Sequence, residues 1–212
     1  MSTVKLEDIS KKFKEKVIFD KFSLEIEAGE FVSVMGESGT GKSTLLNIIG
    51  LLEKADSGDV IIHGVKNANM YKTNGRNLLR NNIAYLFQNY GLLENETVMY
   101  NLAISSRFLK LSKADKHKKT LEALAQVGLQ GFENKKIYTL SGGEQQRVAL
   151  AKIILKPSDI ILADEPTGSL DDKNKDSVLQ ILKRLNNEGR TVIVVTHDTV
   201  VSECAKRIIN LG

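Results

Sequence analysis

Eight residues constrain this chain more than any others: Gly36-Glu37-Ser38-Gly39-Thr40-Gly41-Lys42-Ser43. An apolar run, FVSVM from Phe31 to Met35, precedes them, and the helical pattern STLLNIIGLL follows. A G-x-x-x-x-G-K-[ST] loop between a strand and a helix lets backbone amides wrap phosphates. The spacing puts Lys42 at the β- and γ-phosphates and the Ser43 hydroxyl on magnesium, and Thr44 begins the helix. Gly36, Ser38, Gly39, Thr40, Gly41, Lys42, Ser43 and Thr44 are therefore candidate nucleotide-binding residues.

Such a loop needs a parallel sheet behind it. IILA from Ile160 to Ala163 and TVIVVT from Thr191 to Thr196 are, like FVSVM, apolar on both faces. That pattern belongs to strands covered on both sides. Between the last two, Val178, Ile181, Leu182 and Leu185 form one helical stripe, and Gly189 stands at its end as a cap. Strand, helix and strand make an α/β sheet. The first 30 or so residues differ, because VKLEDI and FSLEIE alternate with period two and read as antiparallel. From about Asn89 to Leu140 the pattern is helical only, with Ser112 to Asp115 as a capping box. It reads as a helical insertion in the α/β body.

Composition excludes several classes. Apolar residues make up 42 %, enough for an ordinary core, and no apolar run approaches the roughly 20 residues that span a bilayer. The N-terminus has no apolar signal region, so secretion is not expected. Cys204 is the single cysteine, which excludes an internal disulfide and fits a reducing compartment. The net charge of +4 is weak, and Lys110 to Lys119 reads as a solvated helix face, so no nucleic-acid partner is expected. His63 and His117 read as surface or turn residues.

Other polar residues stand where strands end. Asp164 ends IILA and is a candidate magnesium ligand, and Glu165 follows as a candidate base for a water in line with the γ-phosphate. Gln88 follows the expected strand Ile83 to Phe87, and His197 follows TVIVVT. All four are expected at the carboxyl edge of the sheet, where such folds bind ligands. LSGGEQ, from Leu140 to Gln145, opens a helix with two glycines and so resembles an anion site, yet it has no lysine.

Together these residues resemble the ATP-binding subunit of ABC transporters over essentially the whole chain. GESGTGKS is similar to its phosphate loop, Gln88 to its Q-loop and LSGGEQ to its signature. IILADE is similar to its second acidic motif, Ser169-Leu170-Asp171 to its D-loop and His197 to its switch histidine. The resemblance implies a P-loop NTPase core of mostly parallel sheet, with N-terminal antiparallel strands (about 1–30) and an inserted helical sub-domain (about 89–140), all in one domain of residues 1–212. It implies ATP and Mg2+ as cofactors, with Ser43, Gln88 and Asp164 at the metal. Glu165, His197 and Gln88 would be catalytic. Phe13 would stack on adenine, and Ser141, Gly142, Gly143 and Gln145 would bind nucleotide. Glu37 would point away from the phosphates.

LADEPTGSLD and FQNYGLLENETVMYNL are most similar to the macrolide-export, lipoprotein-release and bacteriocin-export branch. That implies an ATPase working with a separate transmembrane permease at the cytoplasmic face of the membrane, as an ATP-dependent head-to-tail homodimer. The C-terminal regulatory domain that importers often carry is expected to be absent. The segment from Gln88 to Asn101 is expected to dock the permease, although Tyr90, Leu92, Leu93, Val98 and Tyr100 equally suit a core. Two rival readings are an ABC-type ATPase without a permease, acting on nucleic acid or in translation, and a small-molecule kinase. The kinase reading leaves LSGGEQ unexplained.

Overall fold

The computed structural model describes residues 2–168 and 172–211. Two sheets form the body. In chain order, β1 (Ser2–Phe13) and β2 (Lys16–Glu27) pair as an antiparallel hairpin. β3 (Phe31–Met35) leads into the phosphate loop, and α1 (Lys42–Ile49) leads out of it. β4 (Ser57–Ile62) returns to pair with β1, and β5 (Val65–Lys66) pairs with β4. After α2 (Thr73–Asn81) comes β6 (Ile83–Leu86).

Between Gln88 and Leu140 lie α3 (Val98–Ser106), α4 (Lys113–Gln126) and a short 3-10 turn (Ile137–Thr139). The rest is α5 (Gly142–Leu155), β7 (Ile160–Asp164), α6 (Asp172–Asn187), β8 (Thr191–Val195), α7 (Thr199–Ser202) and β9 (Arg207–Asn210). The antiparallel sheet has order β2-β1-β4-β5, and the parallel sheet has order β6-β7-β8-β3-β9.

The central parallel strands are apolar on both faces because they serve two cores. Successive side chains of a strand point to opposite faces. Ile161 and Ala163 of β7, with Val192 and Val194 of β8, join one core with α5 and α6 residues such as Val148 and Leu182. Ile160 and Leu162, with Ile193 and Val195, join the other core. There they meet Leu45 and Ile49 of α1 and Val4, Leu6 and Ile62 of the antiparallel sheet.

The helical stretch is anchored by one polar residue. Asn101 is fully buried, and its amide takes the Leu93 N–H and donates to the carbonyls of Leu93 and Thr97. Ser112 caps α4, as its spacing suggests. Its hydroxyl takes the Asp115 N–H and donates to the Asp115 carboxylate, whose shorter side chain does not complete the reciprocal bond of a full box.

Candidate functional site

Parallel strands bring their carboxyl ends to one edge. Asp164 of β7 lies opposite Val195 of β8, and Val195 lies opposite Val34 of β3. The three segments that follow these strands therefore meet, and Gln88 joins them from β6. A cleft of about 480 Å3 opens there, lined by Ser38, Gly39, Gly41, Lys42, Ser43, Thr44, Gln88, Glu165 and His197, together with Lys16 and Ile18 of β2.

The loop is tightly built. Gly41 has φ 101°, and a Cβ there would lie 2.4 Å from Ile18 Cγ2, so only glycine fits. Lys42 Nζ donates to the Gly36 and Glu37 carbonyls at 2.7 and 2.8 Å, which curls its charge back over the loop. The Thr40 hydroxyl also donates to the Glu37 carbonyl. Glu37 itself is exposed and is not among the lining residues, as its charge suggests.

On the facing side, the Ser43 hydroxyl donates to Asp164 Oδ1 at 3.1 Å. Burial pushes the Asp164 carboxyl up, the Ser43 hydroxyl pulls it down, Glu165 repels it and Lys42 attracts it, with a net rise. A half-buried carboxylate beside a hydroxyl is a set of hard oxygen donors with uncompensated charge, which suits magnesium. Among the described residues no cluster of three or more His, Cys, Asp or Glu could hold a metal, so an ion here would need oxygens from a bound phosphate.

Glu165 is held in the left-handed region at φ 45°, which is costly for a residue with a Cβ. Its N–H donates to the Val195 carbonyl and its carbonyl accepts the Gly168 N–H. The strained turn swings the carboxylate back toward β8. Oε1 lies 2.8 Å from His197 Nδ1, and Oε2 accepts the Thr196 hydroxyl at 3.3 Å. The Glu165 side chain is 16 % exposed and that of His197 73 %, so a sheltered carboxylate is held by a residue facing solvent.

The structure does not bring every expected residue to this cleft. Phe13 is 45 % exposed at the end of β1, with Lys11 Nζ 4.9 Å from its ring centroid, and is not among the lining residues. Ser141, Gly142, Gly143 and Gln145 also stand apart from it, at the start of α5. There Ser141 and Glu144 form a full capping box, and a Cβ on Gly143 would press on Asn174 of α6. The D-loop candidates Ser169, Leu170 and Asp171 lie outside the described residues. Lys16 is a cleft residue that no motif marks. Two further residues hold the turn that carries Glu165: Thr196 donates its hydroxyl to the Glu165 carboxylate, and Gln146, buried on α5, donates its amide to the Pro166 carbonyl.

Asp164→Asn should therefore raise the unfolding temperature at neutral pH. A carboxyl whose pKa is higher folded than unfolded makes the folded chain bind more protons, so stability falls as pH rises through that window. At neutral pH the full cost is present, and in acid it disappears because both forms are neutral. A gain at neutral pH that fades in acid is expected; a lower unfolding temperature at neutral pH would contradict it.

A family model described as ABC transporter matches residues 19–168. The macrolide export ATP-binding/permease protein MacB of Mannheimia succiniciproducens is 38 % identical over 215 residues, 100 % of this chain and 33 % of that protein. The chain thus spans about a third of the length of that relative. An uncharacterised ABC transporter ATP-binding protein, MJ0796 of Methanocaldococcus jannaschii, is 42 % identical over 217 residues, 98 % of this chain and 92 % of that protein. Two solved structures of MJ0796 superpose on the fold. A dimer has a TM-score of 0.89 at 41 % identity, and a post-hydrolysis dimer bound to ADP and Pi has 0.90 at 40 %; each match covers 98 % of this chain and 94 % of the other. The chain belongs to the ABC transporter family, as an ATP-binding cassette.

Proposed function

We propose that this chain hydrolyses ATP to drive a separate membrane permease, and that the permease exports peptides, drugs or lipidated molecules. The single observation that carries the ATPase reading is the meeting of four strand ends, which puts Lys42, Gln88, Glu165 and His197 around one cleft, with Asp164 hydrogen-bonded to its wall through Ser43. In this reading Lys42, the loop amides of Gly36 to Thr44 and the stacked ring of Phe13 bind the nucleotide. Ser43, Asp164 and Gln88 would hold Mg2+, which would neutralise phosphate charge. Glu165 accepts a proton from the attacking water, and His197 orients Glu165.

The partners follow from the same reading. No helix among the described residues is long and apolar enough to cross a membrane, so a permease would supply the spanning segments at the cytoplasmic face. Residues 89–140 would act as a helical sub-domain joined to the nucleotide site through Gln88, within a single domain of residues 1–212. In the segment expected to dock, Val98 is buried and Tyr90 and Leu92 pack on the core, whereas Leu93 and Tyr100 are exposed. Docking would fall to those two and to Phe87 and Leu52, which border an apolar groove with Leu79, Tyr85 and Ile153. The similarity to the macrolide export ATP-binding/permease protein MacB favours a permease partner over an ATPase acting alone.

Lys42→Ala tests the site. Losing a charge-assisted phosphate contact should weaken ATP binding roughly ten- to a hundredfold. Unchanged affinity by titration calorimetry would sink the assignment of this loop.

A further inference from the structure

The β1–β2 hairpin sends a second lysine to the phosphate loop. Phe13 and Lys16 are the last pair of the β1–β2 ladder, with only Lys14 and Glu15 between them. Directly paired residues of antiparallel strands project from the same face of the sheet, with Cβ atoms about 4.5–5.5 Å apart. Phe13 and Lys16 thus leave the hairpin side by side. Lys16 then reaches the crest of the loop, where Nζ donates to the Gly39 carbonyl at 2.9 Å and lines the cleft. A Cβ on Gly39 would lie 3.2 Å from that nitrogen, so the bare loop backbone lets the ammonium come close. Among the described residues Lys16 has no acidic partner, unlike Lys11 of β1, which is paired to Glu53 and Asp56 of the loop before β4.

We propose that Lys16 is a nucleotide-binding residue that contacts the phosphates nearer the base. The inference rests on the ATP-binding reading above and adds a residue that none of its motifs contains. Two cations approach the loop from different sides. Lys42 lies over Gly36 and Glu37, whereas Lys16 lies over Gly39 beside the ring that would stack on adenine. An anionic phosphate oxygen is a stronger acceptor for an ammonium than a neutral carbonyl, because charge-assisted bonds are shorter and roughly twice as strong. The Gly39 carbonyl holds Lys16 at the cleft wall, one short side-chain rotation from a bound phosphate. Its position between base and loop selects the α- and β-phosphates, which ATP and ADP share. It does not select the γ-phosphate.

The test is titration of the full chain with ATP and with ADP, at two salt concentrations, for the unsubstituted protein, Lys16→Ala, Lys16→Arg and Lys42→Ala. The site is open to solvent, so the effect belongs at the low end for a charged contact. Lys16→Ala should weaken ATP and ADP alike, about three- to tenfold, and should flatten the salt dependence of both. Lys16→Arg should restore most of the loss. Unchanged ADP affinity in Lys16→Ala, or a loss confined to ATP, would overturn the assignment. So would an unchanged salt dependence together with a lower unfolding temperature of the nucleotide-free variant, because that pair of results makes Lys16 a prop for the loop and nothing more. If Lys42→Ala weakens binding and Lys16→Ala does not, only this inference fails. If the unsubstituted chain binds neither nucleotide, the ATP-binding reading fails and takes this one with it.

Discussion

Glu165→Gln keeps ATP binding and lowers turnover about 10²–10⁴-fold, the range that general-base catalysis contributes. The side chain that replaces Glu165 has nearly the same shape and fits the same contacts. The amide oxygen keeps one of the two contacts as it is, and at the other the amide N–H meets either the Thr196 hydroxyl, rotated to accept, or an unprotonated Nδ1 of His197. Neither change moves the backbone, which the Val195 carbonyl and the Gly168 N–H hold at φ 45°. An amide cannot take the proton of the attacking water, so chemistry fails while geometry survives. Steady-state phosphate release and equilibrium ATP binding, measured on the same preparation, separate the two. Turnover above roughly a tenth of the normal rate would remove Glu165 from the role of base.

The two carboxylates at this sheet edge, Asp164 and Glu165, were legible because a strand pointed at them. FVSVM, IILA and TVIVVT are apolar on both faces, and the two cores on either face of the parallel sheet show why. Once those strands are parallel, Gln88, Asp164, Glu165 and His197 must share an edge. LSGGEQ opens a helix, as its two glycines suggest, and there the structure adds a capping box between Ser141 and Glu144.

Residues 57–66 were not legible in the same way. β4 finds its partner in β1, about 50 residues earlier, and only a close approach of backbones marks the meeting: a Cβ on Gly58 would lie 2.4 Å from the Asp8 carbonyl oxygen. Local pattern carries no information about such a distant contact. β9 is an edge strand of four residues that are largely exposed, too short and too wet for a clear period. Lys16 and Gln146 escaped for a related reason. Each contributes through one hydrogen bond to a carbonyl far along the chain, and nothing in its own neighbourhood marks it. Phe13 shows the converse. Its residue type suggests a stacking ring, but its place outside the cleft wall depends on how far the hairpin reaches.

Ser141→Arg should leave ATP binding by the single chain intact and block ATP-dependent dimerisation. In one chain the start of α5 is not among the residues that line the cleft. The capping box occupies the Ser141 and Glu144 amides, and no hydrogen bond recorded within the described residues takes those of Gly142 and Gly143. Two free amides at the positive end of a helix bind an anion without a lysine. We propose that the anion is the γ-phosphate held by Lys42 of a second copy, in a head-to-tail pair that buries two ATP molecules. The dimeric structures of MJ0796 give the proposal its precedent in a relative. Arginine at this position adds bulk at the interface and removes the cap, which costs about 1 kcal/mol of helix stability. That loss is small beside the burial of Val148, Leu150 and Ile153 on the same helix, so the fold should persist. The measurement is gel filtration with ATP and magnesium in the Glu165→Gln background, where slow turnover preserves the dimer. A dimer that persists in the double variant would exclude LSGGEQ from the interface. Loss of ATP binding by the monomer would place the motif on its own chain's nucleotide, and the head-to-tail arrangement would fall.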